Sequence, residues 1–116
     1  MEKIQVAIMM GSKNDMPVVE ETAKLLKDFG ISHEIKVLSA HRTPKQTVAY
    51  AESLAGRGVK IVICAAGGSA ALAGTVSAHT HLPVIGIPLD SMGFNGLAAL
   101  LSPVQMPPGV PVAGVG

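Results

Sequence analysis

Short apolar runs alternate with longer amphipathic ones along the chain. Val6–Met10 is apolar at every position, the pattern of a strand buried on both faces of a parallel sheet. From Met16 to Phe29 the period lengthens. Val18, Val19, Thr22, Ala23, Leu25, Leu26 and Phe29 fall on one face of a predicted helix, with Glu20, Glu21, Lys24 and Lys27 outside it. Glu20 and Lys24 form an i,i+4 pair in the favourable orientation, and Gly30 is a fitting stop. Ser32–Leu38 predicts a second strand. A second helix is expected from Pro44 to about Ala55, with Thr43 as cap, Pro44 at its first position and Gln46 completing a capping box. Gly56 and Gly58 end it. Lys60–Ala65 predicts a third strand with Gly67-Gly68 as its turn. Ser69 to about His79 reads as a short helix of small residues, and Leu82–Ile87 as a fourth strand followed by a loop from Pro88. Gly93–Leu101 reads as a further short helix and Val110–Val115 as a fifth strand.

Strand, turn and helix recur at about thirty residues, the length of a βαβ unit. The implied architecture is α/β: an open parallel sheet with helices on both faces. Ser102–Gly116 is rich in Pro and Gly and ends without a helix. A sheet of this type ordinarily has a helix over its last strand, so either that helix is missing or another subunit supplies the cover.

Composition narrows the partners more than the fold. The 116 residues fit one domain, and with 48% hydrophobic residues one real core can form. Aromatic residues are 3% and Trp is absent, so that core is built from Val, Ile, Leu, Ala and Met. Nine Lys+Arg against eight Asp+Glu give a net charge of +1 without clusters, which argues against nucleic acid or an anionic membrane as partner. The single Cys allows no internal disulfide and suits a reducing, cytoplasmic setting. The apolar stretch after Met1-Glu2-Lys3 is too short for a signal-peptide core or a membrane span.

In open parallel sheets, ligands bind outside the carboxyl ends of the strands. Four small-residue loops fall there: Gly11–Asp15, Ser39–Arg42, Ala66–Ser69 and Pro88–Ser91. The first opens a helix, where backbone N–H groups and the Ser12 hydroxyl can hold a phosphate. The same residue types also make a plain turn with Asp15 as helix cap, and both readings stand. The loop is neither a dinucleotide nor a triphosphate fingerprint. In the second loop Arg42 offers a fork of donors suited to phosphate, and His41 a side chain able to move protons near neutral pH. The alternative is an exposed surface pair. In the third, Gly67, Gly68, Ala70 and Ala71 admit either a ligand or close helix–strand packing. His79 and His81 do not share a helix face and have no Cys or carboxylate nearby, so no metal site is expected. His33 reads as a solvated strand residue, and Cys64 as core rather than nucleophile.

The strings Gly11-Ser12-x-x-Asp15, Ser39-Ala40-His41-Arg42-Thr43-Pro44, Leu82–Pro88 and Leu101–Ala113 together resemble the N5-carboxyaminoimidazole ribonucleotide mutase family, in family order and over nearly the whole chain. The resemblance implies a single flavodoxin-like domain in purine biosynthesis. It implies a carboxylate shift that yields 4-carboxy-5-aminoimidazole ribonucleotide, without metal or other cofactor. His41 would be the catalytic acid and base. Ser12, Ser39 and Arg42 would hold the 5′-phosphate, and Asp15 a ribose hydroxyl. Gly67 and Gly68 would close over the imidazole and retain carbon dioxide. Gly11, Ala40, Ser69 and Leu72 would complete the substrate-binding set. The implied partners are a ribonucleotide, carbon dioxide and further copies of the chain, an octamer in the family.

Three departures bear on that reading. Ala71 stands where the family carries a second histidine, and Ala73 where it carries a proline. The segment Ser69–Gly74 is closer to the related aminoimidazole ribonucleotide carboxylases, which take carbon dioxide directly. Those usually carry Lys after the loop histidine, where this chain has Arg42, so direct carboxylation and non-catalytic nucleotide binding stay open as alternatives. The family also continues past Val115 with a helical tail used in assembly, whereas this sequence stops at Gly116.

Overall fold

The computed structural model describes residues 3–67, 71–89 and 113–114. Five strands, β1 (Val6–Met10), β2 (His33–Val37), β3 (Ile61–Gly67), β4 (Val84–Leu89) and β5 (Ala113–Gly114), alternate with helices α1 (Met16–Asp28), α2 (Pro44–Ser53) and α3 (Ala71–Ala78). The strands form one parallel sheet in the order β2-β1-β3-β4-β5. That is the flavodoxin-like order expected from the resemblance.

β1 is apolar throughout because it is buried on both faces, with no residue more than 6% exposed. Its side chains alternate between two cores. Ala7 and Met9 meet Ala51 and Leu54 of the α2 region and Leu72, Ala73 and Val76 of α3. Val6, Ile8 and Met10 meet Val19 of α1, with Ala23 and Leu26 packed alongside. Helices therefore cover both faces, α2 and α3 on one and α1 on the other. Cys64 of β3 lies in the first core, and burial pushes its thiol up to about 12.

α1 ends as its glycine foretells. Gly30 sits at φ 72°, its N–H donates to Lys27 O at 3.0 Å, and Ile31 N–H reaches Leu26 O at 2.8 Å. Both residues of that closing bond pack against the second core, which completes the motif. α2 passes through a 3₁₀ turn, Ala55–Arg57, into Gly58 at φ 87°.

Several local expectations are corrected. On α1, Val18, Leu25 and Phe29 are 43%, 59% and 77% exposed. The row that packs against the second core is Met16, Val19, Ala23 and Leu26, so the apolar arc is wider than the contact it makes. Thr43 precedes α2 but makes no capping bond, so no capping box forms. β3 and β4 each run further than predicted, because their parallel pairing continues through Ala66↔Pro88 and Gly67↔Leu89. Gly67 is therefore strand rather than turn. Of the predicted strand Val110–Val115, the described residues Ala113–Gly114 are strand (β5) and the others lie outside the described residues, as does the predicted helix Gly93–Leu101. Glu20 and Lys24 form no ion pair.

The ion pair among the described residues is one that the chain's spacing did not announce. Arg57 donates to both carboxylate oxygens of Glu34, at 2.9 and 2.7 Å, and the Tyr50 hydroxyl donates to the same group. The Arg57 guanidinium also lies 5.9 Å from the Tyr50 ring centroid. The cluster ties β2 to α2 and to the turn that follows it. Arg57, and to a lesser extent Tyr50, holds the Glu34 carboxyl below its usual range, against the opposing effect of burial. A carboxyl lowered in the folded state stabilises above its ordinary range, and that contribution is lost as pH falls through the folded value. Glu34→Gln is therefore expected to lower the melting temperature near neutral pH, by the equivalent of about 1 kcal/mol after solvent screening of so exposed a pair. The gap to the parent should close in melts run well below the ordinary glutamate range.

Candidate active site

Met10 of β1 is level with Val37 of β2 and Ala65 of β3. Leu38 N–H donates to Met10 O at 2.9 Å, which carries the β1–β2 pairing one residue further. The loops after β1 and β2 therefore leave the sheet side by side. From β1 the chain crosses first to β2 and then back past β1 to β3, so the winding reverses at this edge. A crevice opens at such a reversal in doubly wound sheets.

The loop after β1 is organised by Ser12. Its backbone is extended, its Oγ accepts from Asn14 N–H at 3.2 Å, and its carbonyl accepts from Asp15 N–H at 3.1 Å. A 3₁₀ turn, Lys13–Asp15, results. As an acceptor in that bond, the Ser12 hydroxyl keeps its own proton for another partner. A Cβ built at Gly11 would meet nothing within 4 Å, so there is open space beside the loop. Asp15 stands at the N-terminus of α1 but makes no side-chain capping bond, which sets aside the plain-cap reading. Burial raises its carboxyl above the ordinary range, partly offset by a bond from the Ser12 backbone. A half-buried carboxylate not engaged by its own helix suits hydroxyl donors from a ligand.

The loop after β2 is a closed hydrogen-bonded turn centred on Ser39. Ser39 Oγ accepts from the N–H groups of His41 at 3.2 Å and Arg42 at 3.0 Å. Ser39 N–H donates to Thr43 Oγ1 at 3.0 Å, and Ser39 O accepts from Thr43 N–H at 3.0 Å. Ala40 packs against the first core. With the backbone drawn inward, the His41 and Arg42 side chains are both exposed. Ser39 was expected to contact phosphate. The hydroxyl first serves the loop, and its one proton is what it has left to donate.

The third loop is only partly described. Gly67 ends β3, and Gly68 and Ser69 lie outside the described residues. Leu72, expected in the substrate-binding set, is 3% exposed within the first core, so packing takes its side chain. Ala71, where the family carries its second histidine, is the first residue of α3 and is half-buried. His79 and His81 are exposed, and His33 is half-buried with Nδ1 3.1 Å from Ile31 O. Among the described residues no group of three His, Cys, Asp or Glu could hold a metal, and no helix is long and apolar enough to cross a membrane. The sequence reading missed Thr43 and Thr47 as loop supports. Their i,i+4 spacing directly after the His-Arg pair was the available signal.

Two loops thus bring together hydroxyl donors, a guanidinium fork, an imidazole and a half-buried carboxylate on one sheet edge. That set can bind a phosphorylated sugar and move a proton.

Comparison with known proteins places the chain as a whole. Residues 5–116 match the family described as AIR carboxylase. The chain is 53% identical over 112 residues to the N5-carboxyaminoimidazole ribonucleotide mutase of Pyrococcus abyssi, covering 97% of this chain and 64% of that protein. It is 50% identical over 111 residues to the protein of the same name from Thermotoga maritima, covering 96% and 65%. It is 50% identical over 115 residues to the phosphoribosylaminoimidazole carboxylase of Saccharomyces cerevisiae, covering 99% of this chain and 20% of that protein. The crystal structure of Treponema denticola PurE superposes with a TM-score of 0.84 at 38% identity, covering 96% of this chain and 70% of that one. The chain thus spans somewhat under two thirds of the Pyrococcus and Thermotoga relatives. With its sheet order, its loop motifs and this similarity along almost its full length, the chain belongs to the AIR carboxylase family.

Proposed function

We propose that the chain carries the active site of an N5-carboxyaminoimidazole ribonucleotide mutase, working in the cytoplasm as part of purine biosynthesis. The observation that supports it most is the Ser39-centred turn, which holds the backbone of His41 and Arg42 while leaving both side chains exposed. Arg42, with the remaining protons of Ser12 and Ser39, binds the 5′-phosphate. Asp15 accepts from a ribose hydroxyl. These contacts fix the imidazole against His41 and pay its orientational entropy in advance.

The reaction then needs one proton moved twice. The bond between the exocyclic nitrogen and its carboxyl carbon breaks, releasing carbon dioxide, and protonated His41 gives its proton to that nitrogen. The ring carbon attacks the retained carbon dioxide, and His41, now neutral, removes the proton from that carbon. His41 ends as it began, as a group acting as acid and then base must. The third loop, with Gly67 and Gly68, is the element to exclude water while the gas is held. In its functional form the protein is a homo-oligomer.

His41→Asn is expected to abolish turnover while nucleotide affinity, read by calorimetry with aminoimidazole ribonucleotide, stays within about tenfold of the parent. Normal turnover would remove His41 from the chemistry. Arg42→Lys should instead weaken binding by about tenfold, because a point charge replaces the fork. Asp15→Asn should also weaken binding, yet leave the melting temperature unchanged or slightly raised near neutral pH, because it removes a carboxylate whose ionisation burial opposes.

The yeast relative's name and Ala71 favour a second reading, direct carboxylation of aminoimidazole ribonucleotide. A paired ultraviolet assay separates them. Turnover of N5-carboxyaminoimidazole ribonucleotide, with little from aminoimidazole ribonucleotide plus bicarbonate, supports the mutase. The reverse pattern supports the carboxylase, and silence in both supports a binding protein.

A further inference from the structure

Thr47 is the buried polar side chain of the described residues, 0% exposed in α2. Its hydroxyl lies 2.8 Å from Thr43 O, the ordinary back-bond of a helical threonine. It also lies 3.0 Å from Ser39 O, eight residues away in the loop that carries His41 and Arg42. A hydroxyl has one proton, so the two carbonyls share it. Ser39 O additionally accepts from Thr43 N–H at 3.0 Å and from the Thr43 hydroxyl at 3.2 Å. Ser39 is therefore held from below by α2, while its Oγ holds the two N–H groups above it.

We infer that Thr47 is a positioning residue, which sets the orientation of the His41–Arg42 loop by fixing Ser39 from the helix core. The inference rests on the reading in which those two residues act on substrate. The physical case is one of leverage. Ser39 O keeps two donors from Thr43 when the Thr47 hydroxyl is removed, so no buried acceptor is orphaned and the fold should tolerate the loss. The loop, however, loses the hydrogen bond that ties it to the interior of α2, and keeps only the packing of Ala40 against the first core there. A small tilt at Ser39 is passed to both side chains through bonds of fixed length, and misplacement by about an ångström can cost a reaction up to about a hundredfold.

The test compares Thr47→Val, which keeps the shape and loses the hydroxyl, with Thr47→Ser, which keeps the hydroxyl. Three quantities are read: melting temperature, hydrogen exchange at the His41 and Arg42 amides, and kcat for N5-carboxyaminoimidazole ribonucleotide. Thr47→Val is expected to melt near the parent, to exchange those two amides about tenfold faster, the worth of one hydrogen bond, and to lose about tenfold in kcat. Thr47→Ser should restore both. Parental exchange and kcat in Thr47→Val would overturn the inference. So would a Thr47→Ser variant as impaired as Thr47→Val, which would put methyl packing in the hydroxyl's place, or a Thr47→Val variant that simply unfolds. If the parent itself shows no turnover, the functional reading fails, while exchange at the two amides still decides whether Thr47 fixes the loop.

Discussion

The constraint from which the rest follows is the burial of β1 on both faces. A parallel strand with no wet side needs a helix over each face, and a helix can reach both only if successive crossovers travel in opposite directions across the sheet. Val6, Ile8 and Met10 look toward α1, and Ala7 and Met9 toward α2 and α3. The reversal this imposes puts the switch point between β1 and β3, and the parallel pairing of β1 with β2 leaves the loops after those two strands adjacent at the same edge. The site is thus a by-product of how a fully apolar strand is kept dry.

On that edge, backbone polar groups do most of the organising. Ser12 and Ser39 play parallel parts: each Oγ accepts from an amide two residues ahead and turns the chain back on itself. Such side-chain bonds substitute for the secondary structure that loops lack. They leave the larger side chains of His41 and Arg42 uncommitted to the scaffold. The two serines support the loops and keep one proton each, whereas the His41 and Arg42 side chains, two and three positions after Ser39, take no part in that support.

This separation also explains what could be read from the sequence. β1 was legible to the residue, because five consecutive apolar positions admit few other structures. The positions of His41 and Arg42 were legible because a strand end, a loop and a proline-led helix start follow one another in order. The face of α1 was over-read: Val18, Leu25 and Phe29 satisfy the helical period as well as Val19 and Leu26 do, and only the sheet's position decides between the rows. The burial of the Leu72 side chain was not legible, because composition cannot say which way a helix is turned. The Glu34–Tyr50–Arg57 cluster was not legible at all. Its members lie 16 and 23 residues apart, and nothing short of the assembled βα unit brings them together. Residues 68–70, 90–112 and 115–116 lie outside the described residues.

Cys64 carries a consequence of a different kind. It sits in β3, in the first core, and its thiol is both inaccessible and pushed up to about 12. A labelling reagent needs an exposed thiolate, so the native state offers it almost nothing to attack. Modification can proceed only through openings that part β3 from its covering helices, and these span the cooperative core of the domain. The single thiol is thus a built-in clock. Its labelling rate under native conditions measures how often the sheet comes apart, with no probe introduced and no residue of the binding edge disturbed.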